Sequence, residues 1–292
     1  MTHKTKNGAP ARLIELIHRP GRESYLIYDD LDRHTGRSAF SNGRRDCAWS
    51  DTGRYSVPLY GDLWYAGEIA CLFGDTNTGK SIYAVQIGQE LAAKGHTVAY
   101  FDFELSDAQF ARRYRSKTGA EHRFSPRFHR LTLAPGESAN MVADTYIYNI
   151  RLACIETDAE VAIIDNVTWL SPSLDNPVEA STLMQKLIAM KSELGISVLV
   201  LAHTPKQTGM RPLTTDQLAG SKRLANFMDS IFAIARCGRS WGRQCRYLKQ
   251  LKSRCGDIVY GADNVKILEI GKRRSWLAMH EVDHADEEAA MQ

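Results

Sequence analysis

The feature that most constrains this chain is an eight-residue loop, residues 74–81, with the sequence GDTNTGKS. It matches the pattern GxxxxGK[ST] and lies between an apolar run at residues 68–73 and a helical pattern at residues 80–93. Glycines in such a loop let backbone N–H groups approach phosphates closely, and the following helix directs its positive amino terminus at the same anion. The loop therefore predicts a strand–loop–helix unit that holds the phosphates of a nucleotide.

Two side chains of this phosphate loop have specific expected roles. The Lys80 ammonium should reach the β- and γ-phosphates, and the Ser81 hydroxyl should ligate Mg²⁺. We therefore predict that ATP and Mg²⁺ are the cofactors. The residues expected to bind them are Gly74, Asp75, Thr76, Asn77, Thr78, Gly79, Lys80 and Ser81.

Apolar runs alternate with helical patterns downstream of about residue 63. Strands are expected at residues 97–103, 161–164 and 196–202. Helices are expected at residues 107–117 with Ser106 as the N-cap, and at residues 138–156 and 178–194. This alternation predicts an α/β fold with a mostly parallel sheet and helices on both faces. Residues 231–283 are expected to be rich in strands.

Three segments follow from these patterns. Residues 1–60 form a loop-rich extension to which the sequence assigns no role, residues 61–283 form the nucleotide-binding domain, and residues 284–292 form an acidic tail. The six cysteines include no CxxC pair, which favours free thiols in a reducing cytoplasm over a zinc site. The amino terminus lacks the apolar core of a signal peptide, and no apolar run is long enough to span a membrane.

Acidic and polar residues end three of the expected strands. Asp165 ends the run VAIID and is the candidate second anchor for Mg²⁺, with a turn or helix-cap role as the alternative. Glu104 ends the strand after the phosphate-loop helix and is the candidate base that activates water, with Asp102 as the weaker choice. His203 ends the run at residues 196–202, where it could sense the γ-phosphate and relay its loss to the next loop.

This order of motifs resembles the RecA-like P-loop ATPases, which take their catalytic glutamate from the strand after the phosphate-loop helix. Within that group it is most similar to the hexameric helicases of the plasmid RepA type and to their AAA-family relatives. The sequence AHTPK at residues 202–206 is similar to the histidine-containing sensor segment of that group. The resemblance covers about residues 60–282, and it implies a ring of identical subunits, expected to be a hexamer, with ATP at the interfaces.

The sequence LKSRCG at residues 251–256 resembles the KxRxG segment of DnaB-type helicases. The resemblance implies that Lys252 and Arg254 reach the ATP of a neighbouring subunit and act in catalysis. Period-two spacing would place both cations on one face of a strand, although a solvated basic edge strand explains them equally well. In a departure from DnaB, we expect no substantial primase-binding domain at the amino terminus of this sequence.

Single-stranded DNA is the expected macromolecular partner. Residues 236–254 contain seven basic residues and no acid, with Trp241 and Tyr247 interleaved. Cations bind phosphates and aromatic rings stack on unpaired bases, which favours single-stranded DNA as a ligand of this segment. An ordinary solvated surface is the alternative, and the net charge of +3 does not decide between the two. The loop at residues 204–215, which the resemblance places in a DNA channel, is a second candidate. The residues predicted to contact nucleic acid are Lys206, Arg211, Arg243 and Arg246.

Together these features predict an ATP-hydrolysing DNA helicase or translocase, acting in the replication of a plasmid or mobile element. One alternative is a recombination or repair ATPase that forms filaments on DNA and is stimulated by DNA without unwinding it. Another alternative, of a different class, is an ATP-dependent switch that assembles with a protein partner and ignores DNA.

Overall fold

Nine strands form one sheet in the computed structural model, which describes residues 57–133, 143–171, 174, 176–204, 210–218 and 222–292. Two short strands, β1 (Pro58–Tyr60) and β2 (Trp64–Tyr65), pair with each other outside it. The sheet strands are β3 (Ile69–Gly74), β4 (Val98–Asp102), β5 (Phe128–Leu131), β6 (Val161–Asp165), β7 (Ser197–His203), β8 (Ser230–Arg236), β9 (Cys245–Lys252), β10 (Val265–Arg273) and β11 (Trp276–Ala285).

The order across the sheet is β11-β10-β9-β8-β3-β7-β6-β4-β5. Strands β8 to β5 in this order are all parallel, whereas β9, β10 and β11 join by antiparallel pairing. The predicted fold class, a mostly parallel α/β sheet with a strand-rich carboxyl-terminal part, is confirmed. The helices are α1 (Lys80–Ala93), α2 (Asp107–Arg113), α3 (Ala143–Glu156), α4 (Pro177–Leu194), α5 (Lys222–Phe227) and α6 (Glu287–Met291).

Helices cover both faces because the strands are apolar on both sides. Alternate residues of β3 enter two separate cores, with Cys71 and Phe73 in one and Ala70 and Leu72 in the other. The first core is closed by α3, α4 and α5, and the second by α1 with the β1–β2 pair. No helix of the described residues is long and apolar enough to cross a membrane.

Local sequence explains where the helices begin and end. Ser106 accepts a hydrogen bond from Gln109 N and completes a capping box, which confirms the predicted N-cap of α2. Asn176 caps α4 in front of Pro177, and Gly195 ends that helix with a φ of 64°.

The structure differs from the sequence analysis in one strand and in the carboxyl-terminal segment. Strand β5 was not predicted, because its sequence, FHRL, carries two polar residues and has no clear alternation. The expected acidic tail at residues 284–292 is instead the end of β11 followed by α6, whose Ala290 is fully buried. Glu287 is buried as well, and its carboxylate accepts hydrogen bonds from Leu213 N and the Lys249 ammonium. The expected extension at residues 1–60 lies almost entirely outside the described residues.

Candidate nucleotide site

The sheet register brings the predicted catalytic positions to one edge. Gly74, the last residue of β3, pairs with His203 of β7, and Asp165 of β6 pairs with Asp102 of β4. These strands are parallel, so their carboxyl ends meet at the same edge of the sheet, here called the carboxyl edge. The phosphate loop, the Asp165 carboxylate, His203 and the turn that carries Glu104 therefore lie side by side.

The phosphate loop depends on glycine at both ends. A Cβ atom at Gly74 would lie 2.2 Å from the carbonyl oxygen of Ile234, so β8 leaves no room for a side chain. Gly79 has a φ of 98°, which an L-residue adopts only under strain. The loop also folds on itself, because the Thr78 hydroxyl donates to the Asp75 carbonyl at 2.8 Å.

Lys80 lies at the centre of the site and is almost fully buried. Its ammonium donates to the carbonyl oxygens of Gly74 at 2.9 Å and Asp75 at 3.0 Å, and it lies 3.2 Å from Nδ1 of His203. Burial lowers the pKa of Lys80, while the nearby carboxylates of Asp165 and Glu104 oppose that shift. The loop therefore holds a cation in the position at which a phosphate loop meets the terminal phosphates.

Asp165 and Ser81 bring together a carboxylate and a hydroxyl that could hold Mg²⁺. The Asp165 carboxylate is buried and accepts hydrogen bonds from the Ser81 hydroxyl and, at 2.6 Å, from the Tyr100 hydroxyl. Burial raises the pKa of Asp165 to about 6, and the hydrogen bond from Tyr100 acts against that rise. Magnesium in nucleotide sites takes few protein ligands besides the phosphates, so a hydroxyl and a carboxylate in contact fit this ion.

Glu104 lies in a chain of polar groups that leads back to the phosphate loop. Its Oε1 atom is 3.2 Å from Nε2 of His203, and Nδ1 of the same ring is 3.2 Å from the Lys80 ammonium. Because Lys80 can only donate, Nδ1 must accept, so the neutral ring carries its proton on Nε2 and donates it to Glu104. The His203 side chain thus connects the phosphate-loop lysine to the candidate base.

Asn166 completes this cluster and was not predicted to belong to it. Its Oδ1 atom accepts from the Thr168 backbone N–H at 2.9 Å, which directs the amide nitrogen toward Glu104, whose carboxylate accepts a hydrogen bond from it. The hydrogen bond from His203 is the main reason why the pKa of Glu104 lies below its usual value. Glu104 is therefore ionised at neutral pH, as a base that accepts a proton from water must be.

Asp102, the weaker candidate for the base, has a different role. Its Oδ2 atom pairs with Arg130 Nε at 2.8 Å, and its Oδ1 atom accepts from the backbone N–H groups of Glu104 and Leu105. Both oxygens are thus engaged, and the side chain is fully buried. Asp102 holds the turn that presents Glu104, and the structure favours Glu104 as the base.

Lys252 and Arg254 lie at the opposite edge, where the parallel strands begin. Lys252 pairs with Ile231 at the start of β8 and ends β9, so Arg254 lies beyond the strand. The Lys252 ammonium donates to the Ala225 carbonyl at 2.8 Å. Arg254 pairs with Asp229 at 2.9 Å and also donates to the Asn226 carbonyl, and both carbonyls are in the last turn of α5. Neither cation is placed to reach the phosphate loop of its own chain.

The predicted nucleic-acid contacts are placed in three different ways. Lys206 lies outside the described residues, while Arg211 and Arg243 are exposed. Arg246 is buried, and its guanidinium donates to the carbonyl oxygens of Thr78 at 3.0 Å and Cys245 at 2.7 Å. The interpretation of Arg246 as a DNA contact is corrected, because the pleat of β9 directs this side chain under the phosphate loop.

Two residues of the candidate site were not predicted from the sequence, and the signals for them differ in strength. Asn166 directly follows Asp165 at the end of a buried strand, a position from which a polar side chain reaches the carboxyl edge. Tyr100 lies inside the apolar run VAYFD, where an aromatic residue indicates only core packing. Its contact with Asp165 depends on the register between β4 and β6, which the sequence does not show.

The comparison with known families agrees with this geometry. A family model described as an AAA domain matches residues 49–209, which is more than half of the 292 residues. The matched segment contains the phosphate loop, Glu104, Asp165 and His203. A search of curated proteins finds no match to the chain.

Proposed function

This chain belongs to the AAA domain family, which makes it a P-loop ATPase, and we propose that it couples ATP hydrolysis to movement along single-stranded DNA. The activity would be that of a helicase or translocase. Bound ATP would supply the reactive phosphoanhydride bond, and Mg²⁺ would neutralise the charge that develops on it. Everything else required at the carboxyl edge can come from side chains of the chain itself.

Each of these side chains has a distinct task in the proposal. Lys80 holds the terminal phosphates, and Ser81 and Asp165 hold the metal ion. Glu104 is ionised and accepts a proton from the attacking water. His203 keeps the Glu104 carboxylate in place through its Nε2 proton, while Asn166 supports the same carboxylate through its amide.

The observation that carries the proposed coupling is the position of His203 at the end of β7. The ring contacts both Lys80 and Glu104, and the next residue, Thr204, donates its backbone N–H to the carbonyl of Gly74 at 3.2 Å. A change at the phosphates would therefore act directly on the first residues after β7. At its far end the segment is fixed at Leu213, which bonds to the buried Glu287 of α6.

An exposed basic turn at the same edge supports DNA as the partner. Arg236, Arg239 and Arg243 lie between the end of β8 and the start of β9, and we call this segment the basic turn. Among the residues that the structure describes, none of the three forms an ion pair. Arginines without acidic partners are suited to phosphates, and Arg211 adds a fourth exposed cation.

The proposal extends to a ring of identical copies, expected to be a hexamer, that acts in replication of a plasmid or mobile element. Lys252 and Arg254 lie at the edge opposite to the phosphate loop of their own chain. A catalytic role for them therefore requires a neighbouring copy. Their contacts with the end of α5 already give both cations a structural role within one chain.

The test is ATP hydrolysis measured with and without a poly-dT oligonucleotide of about 20 nucleotides, long enough for a single-strand site. Lys80→Ala serves as the blank. We expect stimulation by the oligonucleotide that weakens as salt rises, because phosphate contacts release counterions. Stimulation should be followed by displacement of a paired strand. Stimulation without displacement would favour the filament-forming alternative, and basal hydrolysis that ignores DNA would favour the protein-assembly switch.

A further inference from the structure

We propose that the tip of the β10–β11 hairpin, with Arg112 of α2, is a second surface that binds the phosphodiester backbone of single-stranded nucleic acid. The tip contains three consecutive cations, Lys272, Arg273 and Arg274. We call these three residues with Arg112 the basic rim. This inference rests on the proposed function, because it assigns an additional contact to the same ligand.

The register of β10 shows that the tip projects from the carboxyl edge. The last residue pair between β10 and β9 joins Glu269 to Cys245, and Ile270 N donates to the Gln244 carbonyl at 3.0 Å. Beyond that point β10 pairs only with β11, down to the pair between Arg273 and Trp276. The hairpin therefore extends past the start of β9, on the edge that carries the phosphate loop.

The projecting tip is held in place. Trp276 stacks on the His122 ring at a centroid distance of 4.5 Å and lies 5.5 Å from the Tyr114 ring. The Lys272 ammonium donates to the Arg112 carbonyl at 3.2 Å, which joins the hairpin to the carboxyl-terminal end of α2. The cations are thus presented on a packed support, so binding would not have to order a free loop.

The basic rim has an excess of positive charge among the described residues. Its four side chains are exposed, and none of them forms an ion pair there. In the adjoining segments Asp107 pairs with Arg130 at 2.6 Å and Glu121 pairs with Arg115 at 2.5 Å, which leaves the exposed Glu269 of β10 as one acid against the four cations. A polyanion would therefore supply the counter-charge that the chain does not provide.

The basic rim continues the basic turn of the proposed DNA site. Arg243 directly precedes Gln244, whose carbonyl bonds to Ile270, and Ile270 lies two residues before Lys272. Adjacent strands of a sheet lie about 4.8 Å apart, so the two basic segments are neighbours along the carboxyl edge. One strand of nucleic acid could follow both segments, which an isolated basic patch would not allow.

The kind of ligand follows from what surrounds these cations. The aromatic rings beneath the tip pack against one another, so they are not free to stack on bases. The large apolar side chains that are exposed among the described residues all lie outside the tip and outside α2. A protein partner would need an apolar centre to its interface, whereas a phosphate backbone needs only the charges and the guanidinium donors.

The experiment measures binding of a fluorescein-labelled poly-dT of about 20 nucleotides at several salt concentrations. The hairpin variant is Lys272→Ala/Arg273→Ala/Arg274→Ala. The turn variant is Arg236→Ala/Arg239→Ala/Arg243→Ala. A charge control, Lys94→Ala/Arg127→Ala, removes two exposed cations near the opposite edge. Thermal melting of each variant shows whether it is folded.

We expect the hairpin variant to bind the oligonucleotide at least about tenfold more weakly near 0.1 M salt, with a salt slope smaller by about 2. The charge control should bind like the wild-type chain. Unchanged binding by the hairpin variant, with a loss in the turn variant, would overturn this inference and leave the proposed function standing. A wild-type chain that does not bind the oligonucleotide would overturn both.

Two further outcomes would also contradict the inference. Poly-glutamate that competes as well as poly-dT would indicate an acidic protein as the ligand. A hairpin variant that loses affinity for a fluorescent ATP analogue but retains its affinity for poly-dT would assign the three cations to the nucleotide.

Discussion

Two of the histidine–glutamate pairs among the described residues lie at opposite edges of the same sheet, and only one of these two belongs to the candidate nucleotide site. At the carboxyl edge His203 is 3.2 Å from Glu104, and at the opposite edge His96 is 3.4 Å from Glu160. The pairs have the same chemistry and similar spacing. They differ in what else each residue contacts.

The carboxyl-edge pair is connected and partly shielded from water. His203 also contacts the buried Lys80, and Glu104 accepts a hydrogen bond from Asn166, so these polar side chains form one connected chain. Glu160 instead accepts from the backbone N–H of Thr97, and its side chain is 58% exposed. An exposed ion pair contributes at most about 1 kcal/mol to the stability of the fold. Polar groups that are shielded from water and in contact shift one another's pKa values. Connection to the phosphate loop therefore distinguishes the pair of the candidate site from the pair at the opposite edge.

The largest effect should separate the two glutamates. We expect Glu104→Gln to lower the rate of ATP hydrolysis by about 10²- to 10⁴-fold, because the amide cannot accept a proton from water. Affinity for a fluorescent ATP analogue should remain. Glu160→Gln is the matched control and should hydrolyse ATP at the wild-type rate. Equal losses in the two variants would remove the distinction between the edges.

The two histidines should differ in the pH dependence of activity. The hydrogen bond from His203 holds the pKa of Glu104 below its usual value, so His203→Ala should raise that pKa. The acid limb of the kcat/KM profile would then move to higher pH, since a larger fraction of Glu104 would be protonated. A rate loss of about 10- to 100-fold at neutral pH is expected for a lost hydrogen bond to a charge.

His96→Ala is the control for this profile and should leave the acid limb where it is. His203→Gln retains a hydrogen-bond donor for Glu104, so its acid limb should lie closer to the wild-type position than that of His203→Ala. If the acid limb is unchanged in His203→Ala, the ring does not control the protonation of Glu104.

The fold and the main site residues could be predicted because the responsible patterns are local. The phosphate loop is one continuous segment, and Glu104, Asp165 and His203 each follow a recognisable apolar run. Parallel strands place their carboxyl ends together, so the run ends predict a shared edge without further information.

The contacts that could not be predicted depend on which strands are neighbours. Tyr100 reaches Asp165 only because β4 lies beside β6, and Arg246 is buried only because β9 lies near the phosphate loop. The basic rim projects only because the β10–β11 hairpin extends beyond the start of β9, and that extension depends on the register between β10 and β9. Charge patterns in the sequence did not separate buried arginines from exposed ones.

A smaller effect is expected from Tyr100, which acts through Asp165. Tyr100→Phe removes the 2.6 Å hydrogen bond but keeps the ring that packs on Phe128. A hydrogen bond to a charged group contributes about 1.5–3 kcal/mol, so we expect the Mg²⁺ concentration for half-maximal activity to rise about tenfold or more. Binding of Mn²⁺ in the presence of nucleotide, followed by electron paramagnetic resonance, should weaken similarly. Tyr83→Phe, in the same core, should leave both values unchanged.

The smallest effect should come from Arg254. This residue tests whether the edge opposite to the carboxyl edge has only a structural role. The Arg254 side chain is 52% exposed, and its pairing with Asp229 should stabilise the chain by at most about 1 kcal/mol. We therefore expect Arg254→Ala to lower the free energy of unfolding by that amount in urea denaturation. ATP hydrolysis should stay close to the wild-type rate.

A fall in hydrolysis by about 10³-fold in Arg254→Ala, with stability retained, would contradict this expectation, because an arginine finger supplied by a neighbour has an effect of that size. Mixing Arg254→Ala with Lys80→Ala would then decide between the two roles. Activity that reappears in the mixture requires Arg254 of one copy to act on the nucleotide held by another. In that case the edge without a phosphate loop would complete the site of a neighbouring copy, and the contrast between the edges would hold only within a single chain.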